Sequence, residues 1–156
     1  MITCTFENGG KGSLRHVVVN AIIIKDNKIL LAKRSEKIKE GGKWCLAGGF
    51  MNRDEGLAEA LGREVFEETG YKIKSAYLFT IIDIPKRRGS DWQNVDFLYV
   101  CEAGEKEGSL DWETSEIKWF DLDNLPSQEE IAFDHFQVIN LYLENKNKTP
   151  LEVLRY

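Results

Sequence analysis

The stretch Gly49–Tyr71, GFMNRDEGLAEALGREVFEETGY, decides how the rest of the chain is read. Its middle predicts a helix over Glu55–Thr69. Asn52, followed three residues later by Glu55, has the form of a capping box, and Gly70 supplies a C-terminal stop. On a helical wheel at about 100° per residue, Glu64, Glu67 and Glu68 form an i, i+3, i+4 set, which places three carboxylates on one patch. Leu57, Ala60 and Leu61 lie earlier on the same side, whereas Glu55, Glu59 and Arg63 lie on the other.

That arrangement works against the helix. Glu64 and Glu68 repel one another by roughly a few tenths of a kcal/mol at i, i+4. Glu67 and Glu68 also fall in the last turn, where the macrodipole favours cations. A solvated acidic face is the plain reading of such a cluster. A hard divalent cation gives the sharper one, because Mg²⁺ takes carboxylate oxygens together with substrate phosphates and removes the conflict.

Working outward, His16–Lys25 (HVVVNAIIIK) is β-branched and apolar and predicts a buried strand. Asp26-Asn27 reads as a tight turn into a second strand, Lys28–Lys33, and the polar run Ser35–Lys43 reads as a loop. A short strand over Trp44–Ala47 then leads into Gly48-Gly49. Beyond the helix, strands are expected at Tyr71–Ile82, Val95–Cys101 and Glu116–Phe120, with a basic polar loop over Pro85–Asn94. Ser127-x-x-Glu130 has the form of a second capping box. It predicts a helix to about Asn145, with Ala132, Phe136, Ile139 and Leu143 at helical spacing. Strands, helix, strands, helix in that order imply a layered α/β (α+β) domain with a mixed sheet.

Composition agrees with a single domain over 1–156, since the chain has neither repeats nor a linker. With 42% apolar and 30% charged residues it is neither disordered nor fibrous. A net charge of −5 argues against a broad basic face for a nucleic-acid polymer, while a local site can still hold a small polyanion. Cys4, Cys45 and Cys101 are odd in number and far apart, which indicates reduced thiols and no zinc site. The N-terminus has no signal-peptide pattern and no apolar run is long enough to span a bilayer, so a cytoplasmic protein without a membrane partner is expected.

The pattern from Gly49 is Gly, five residues, Glu, seven residues, Arg-Glu, an aliphatic, any residue, Glu-Glu, any residue, Gly and a large apolar residue. It resembles the Nudix box, the signature of the Nudix hydrolases, at every defined position. His16–Arg34, the approach Trp44–Gly49 and the segment WFDLDNLP from Trp119 also look like family features, so the resemblance covers roughly residues 16–126. It implies an α/β/α sandwich with a mixed β-sheet and a catalytic loop–helix–loop. It also implies a metal-dependent pyrophosphohydrolase that cleaves a nucleoside diphosphate-linked substrate, a nucleoside triphosphate or an ADP-ribose-like molecule, by attack of metal-activated water. Carried over by position, Glu64, Glu67, Glu68 and the Gly48 carbonyl would hold Mg²⁺ or Mn²⁺. Arg63 would orient Glu67 or Glu55, and Glu55 would stand behind the ligands. Ala47 occupies a position where the family often has Pro, which loosens the approach to Gly48 without removing a ligand.

No Ser/His/Asp or Cys/His constellation accompanies these residues, and His16 and His135 have no obvious partner, so both are read as structural. The proton acceptor is expected outside the box, at Glu113 or Glu116. Lys33 and Arg34 at a strand end suit phosphate contacts. Lys86, Arg87 and Arg88 suit either a phosphate or a solvated loop tip. Trp92 and Asn94 combine an aromatic plane with an amide, as recognition of a base would need, although Trp92 equally suits the core or the interface of a homodimer. A different class, a non-catalytic nucleotide-sensing module on the same fold, is disfavoured by the intact carboxylates.

Overall fold

The computed structural model describes residues 2–85 and 92–146. A small hairpin of β1 (Ile2–Thr5) and β2 (Lys11–Leu14) precedes the main sheet and pairs only within itself. The sheet is organised about β3 (His16–Lys25), which turns at Asp26-Asn27 into β4 (Lys28–Arg34). Both turn residues have positive φ, 49° and 59°, the backbone that a tight two-residue hairpin needs and that Asp and Asn tolerate. β5 (Trp44–Cys45) and β6 (Ala47–Phe50) follow, then α1 (Leu57–Thr69), β7 (Tyr71–Ile82), β8 (Asn94–Lys106), β9 (Thr114–Asp121) and α2 (His135–Asn145).

The sheet runs β5-β4-β3-β8-β7, with β6 paired to β3 and β9 paired to β4. Among the described strands β3 and β8 run parallel, in register from His16↔Asn94 to Ile24↔Glu102, and the other pairs are antiparallel, so the sheet is mixed. β3 shares one edge between two partners: Val18–Ala21 pair with β6, and Ile23–Lys25 pair with β4. The sheet therefore opens where β4 and β6 diverge, and the cleft described below lies there.

Alternation along β3 separates two cores. Val19, Ala21 and Ile23 pack with Ala60, Leu61 and Val65 of α1. Ile22 points the other way and packs with Leu31, Leu98 and with Val138, Ile139 and Tyr142 of α2. Each face of the strand thus meets a helix, which explains a run apolar on both sides and makes the α/β/α sandwich. Ile22 and Ile139 are fully buried, and burial of such a side chain contributes about 1.5–3 kcal/mol.

Two helix starts differ from the sequence expectation. α1 opens at Leu57 with Gly56 as its cap, and the Gly56 N–H donates to Glu59 Oε2 at 2.7 Å. The Asn52–Glu55 pair does bond, from Asn52 N–H to Glu55 Oε1, but it closes a loop ahead of the helix. α2 begins at His135, not at Ser127. The Ser127 N–H and hydroxyl both donate to Glu130 Oε2, so the local box forms, yet Ile131 then pairs with Trp44 of β5. Trp44 N–H donates to the Glu130 carbonyl and Ala132 N–H to the Trp44 carbonyl, and this bridge at Ile131, between two turns, takes the chain out of a helical path until His135. The Trp44–Ala47 strand is likewise broken at Leu46, whose N–H leaves the ladder for His135 Nδ1 at 3.0 Å.

Candidate functional site

A cleft of about 480 Å³ opens between β3, β6 and α1. Its charged end is set by how closely the Gly48-Gly49 backbone approaches α1. Gly48 has φ 154°, and a Cβ there would be driven into the Val19 carbonyl oxygen. A Cβ at Gly49 would stand 2.5 Å from Glu64 Oε2. Glycine at both positions lets the strand lie against the carboxylates of the helix.

Glu68 is 6% exposed and accepts a hydrogen bond from the Gly48 N–H at 2.9 Å. Burial pushes its carboxyl up to about 8, helped by the nearby Glu64 and Asp111, while the Gly48 bond pulls the other way. Glu64 also lines the cleft and is raised, again mainly by burial. Glu67 does not join them at the cleft wall. Its side chain is about half exposed (48%) and turns to Arg63 at 3.1 Å. Among the described residues no three His, Cys, Asp or Glu side chains are gathered as a metal cage.

Arg63 is more central than the wheel suggests. Its long side chain reaches back round the helix and donates to Glu64 Oε1 at 2.8 Å and Glu67 Oε2 at 3.1 Å. It also donates to both oxygens of Glu55, at 2.7 and 3.1 Å, and to the Phe50 carbonyl at 3.0 Å. These bonds hold the Glu55 carboxyl below the usual carboxylate range, with the Asn52 N–H adding to the effect. Because Glu55 precedes the helix instead of lying in it, it can face Arg63 in this way.

The other predicted residues separate. Arg34 lines the cleft, donating from Nε to the Lys39 carbonyl at 2.7 Å with its guanidinium 5.0 Å from the centre of the Phe133 ring. Lys33, next along the strand, points away and lies 5.6 Å over Trp44. Glu113 lines the cleft, whereas Glu116 lies 4.0 Å from Lys33 across β4 and β9 and is outside the lining. Trp92 and Asn94 line the far end. Lys86, Arg87 and Arg88 lie outside the described residues.

Sequence reasoning passed over several residues that line the cleft. Asn20 is the one polar residue inside the apolar run Val17–Ile24, and its amide donates to both oxygens of the buried Asp96, at 2.9 and 2.8 Å. That interruption was a usable signal. Phe50 lies within the box itself but carries no defined position. Phe133 and His135 reach the cleft because Ile131 bridges to Trp44 and the chain then turns at Phe133, whose φ is 54°, into α2. His135 does have the structural role expected of it, through Leu46. Cys45 and Cys101 are buried free thiols, also as expected, and no described helix is long and apolar enough to cross a membrane.

Comparison with known proteins places this geometry among relatives. A NUDIX domain profile matches residues 14–142. The ADP-ribose pyrophosphatase of Methanocaldococcus jannaschii is 40% identical over 133 residues, covering 84% of this chain and 75% of that protein. Among solved structures, a MutT NUDIX hydrolase from Burkholderia pseudomallei superposes with a TM-score of 0.71 at 27% identity, over 82% of this chain and 98% of the other. A bifunctional NMN adenylyltransferase/ADP ribose pyrophosphatase from Francisella tularensis, complexed with AMP and a Mn ion, shares the fold. Its TM-score is 0.67 at 24% identity, over 84% of this chain and 42% of that one.

Proposed function

The chain belongs to the NUDIX domain family, as a hydrolase of phosphoanhydride bonds, and from that premise we propose that it is a divalent-metal-dependent pyrophosphohydrolase of ADP-ribose-like nucleoside diphosphates. The observation that carries the reading is the pair Glu64 and Glu68, two carboxylates held side by side at the cleft wall with their charged forms disfavoured by burial. Such a donor set, all hard oxygen and closely approached by backbone at Gly48 and Gly49, fits Mg²⁺ or Mn²⁺. Glu64, Glu68 and the Gly48 carbonyl would hold the ion, and Glu67 would reach it on turning from Arg63. When bound, it supplies charge neutralisation on the diphosphate and activation of a water molecule.

The chain's own groups do the rest. The Gly48 N–H fixes one oxygen of Glu68, a residue of the cleft wall. Arg63 holds Glu55, Glu64 and Glu67 in one network, so it sets where those carboxylates stand. Glu113 is the proton acceptor in preference to Glu116, since it lines the cleft and Glu116 does not. Arg34 and Lys39 offset phosphate charge from the opposite wall. Water adds to one phosphorus, the bridging P–O bond breaks, and two phosphomonoester ends result. The similarity to a relative named ADP-ribose pyrophosphatase supports ADP-ribose, in preference to a nucleoside triphosphate, as the substrate here. A cytoplasmic location suits such a substrate.

The test is incubation of the purified protein with ADP-ribose and Mg²⁺, with separation of the products. AMP and ribose 5-phosphate are expected, abolished by excess chelator and restored by Mg²⁺ or Mn²⁺. Full activity in chelator, or cleavage confined to simple phosphomonoesters, overturns the reading.

A further inference from the structure

Leu46 stands where the chain changes partners. Cys45, just before it, pairs with Ala32 of β4, and Ala47, just after it, pairs with Ala21 of β3. Leu46 falls in the gap between the two ladders. Its N–H donates to neither strand but to His135 Nδ1 at 3.0 Å, from the first residue of α2. Both residues are buried, and a buried backbone N–H needs an acceptor.

His135 is brought to that gap against strain. The bridge between Ile131 and Trp44 leaves residues 132–134 for the turn into α2, and the His135 N–H closes it on the Ala132 carbonyl at 3.2 Å. Inside the turn Phe133 has φ 54°, a backbone that a bulky side chain rarely adopts. Such strain persists where the surroundings over-determine it, and it gathers at functional sites.

Past Leu46 the same backbone enters the charged end. One residue on from Ala47, the Gly48 N–H donates to Glu68 Oε2 at 2.9 Å. Residues 47–49 carry one methyl group among them, so backbone bonds place this segment: the ladder to β3, the Gly48 bond to Glu68, and the Leu46 bond to His135. Leu46 and His135 both line the cleft. Without the imidazole acceptor, the Leu46 N–H regains a partner by shifting toward water in the cleft, and Gly48 moves with it.

We propose that His135 is a positioning residue for the metal-holding segment. By accepting from Leu46, Nδ1 sets where the Gly48 carbonyl stands against Glu64 and Glu68. The bond requires a ring without a proton on Nδ1, hence the neutral tautomer with its proton on Nε2. This inference rests on the reading of Gly48, Glu64 and Glu68 as groups that hold a divalent ion.

The experiment measures Mn²⁺ binding by the full chain from loss of the free-ion EPR signal, without nucleotide, beside melting temperature and ADP-ribose hydrolysis. His135→Leu removes the acceptor. His135→Asn puts an amide oxygen near the place of Nδ1, and His135→Gln carries the amide on to the place of Nε2. Val138→Ala, in the core on the same helix, lowers stability without touching Leu46. The Kd for Mn²⁺ should rise about tenfold or more in His135→Leu, the scale for losing a group that orients a metal ligand. His135→Asn should stay near the parent and His135→Gln should resemble His135→Leu, while Val138→Ala melts lower at the parent's Kd. The Mn²⁺ concentration for half-maximal hydrolysis should follow the Kd. Equal Kd values for His135→Asn and His135→Gln overturn the proposal even if His135→Leu does not fold. An equal rise in Val138→Ala and His135→Leu also overturns it, since stability alone then sets the affinity. Mn²⁺ bound with one Kd by parent and variants defeats the positioning role and leaves the hydrolase standing. A parent that neither binds Mn²⁺ nor hydrolyses ADP-ribose defeats the metal-hydrolase reading, and the proposal with it.

Discussion

The two ends of the cleft are built in opposite ways. The charged end comes almost entirely from one continuous stretch, Gly48 to Glu68, with carboxylates spaced by the helical period and glycines that let the strand approach them. The aromatic end is assembled from residues 16, 50, 92 and 94, brought together by the pairing of β3 with β6 and, in parallel, with β8, strands that lie far apart in the chain. One end depends on local geometry and the other on topology. Mutations should therefore act on them differently, on turnover at the first and on binding at the second.

The largest effect is expected at Glu68. Glu68→Gln keeps the side-chain volume and an oxygen to accept from the Gly48 N–H, while removing a group that can become an anionic metal ligand. Turnover should fall on the order of a thousandfold, through loss of transition-state charge stabilisation. KM should move little. The metal-free protein should melt no lower than the parent, because a buried carboxyl has been replaced by a neutral amide. Glu59→Gln, whose residue caps α1 away from the cleft, is the control. Equal losses of turnover in the two variants would show that the carboxylates matter only for the helix.

Arg63 comes next. It does not itself line the cleft but holds three carboxylates and the Phe50 carbonyl. Arg63→Met should lower kcat by about a hundredfold, the scale expected when catalytic groups are displaced by about 1 Å. The metal concentration needed for half-activity should rise with it. If kcat falls while the metal dependence stays put, Arg63 acts on substrate and not on the carboxylates.

What was legible beforehand follows the same division. The helix, its Gly70 stop and the carboxylate spacing are encoded within a few turns, so the pattern at Gly49–Tyr71 carries them directly. The strand boundaries of β3 and β7 were also legible, the first from its unbroken apolar run. The start of α2 was not. Ser127 and Glu130 bond as a capping box should, and the local chemistry was read correctly, but β5 captures the next residues through Trp44. Local signals say nothing of a competing strand eighty-odd residues earlier in the chain. The ring packing of His16 is equally illegible in the sequence, since its neighbours Phe50 and Trp92 are fixed by register rather than spacing.

A smaller effect is expected at the aromatic end. Trp92→Ala should raise KM for the best nucleotide substrate by an amount equivalent to about 1–3 kcal/mol, the range for stacking of a base on an aromatic side chain. The metal requirement should be untouched, because Glu64 and Glu68 stand at the other end of the cleft. Unchanged KM would remove Trp92 from the site.

The smallest response tests whether the charged end is as rigid as its packing implies. Cys45 lies fully buried near Glu68 and Arg34, and burial pushes its thiol up to about 12, with Glu68 adding to the rise. Cys101, buried beneath α1, is likewise pushed up to about 12 by burial. A thiol that stays protonated at pH 8 and is shielded from solvent does not react. Cys4, on the partly exposed hairpin strand β1, has no such protection. Titration of the native protein with an aromatic disulfide reagent at pH 8 should therefore give one fast thiol, with two more released only on unfolding. Rapid modification of Cys45, detected by mass spectrometry and suppressed by Mg²⁺, would mean that the charged end opens in the absence of metal. The division between a preformed charged end and a register-dependent aromatic end would then have to be withdrawn.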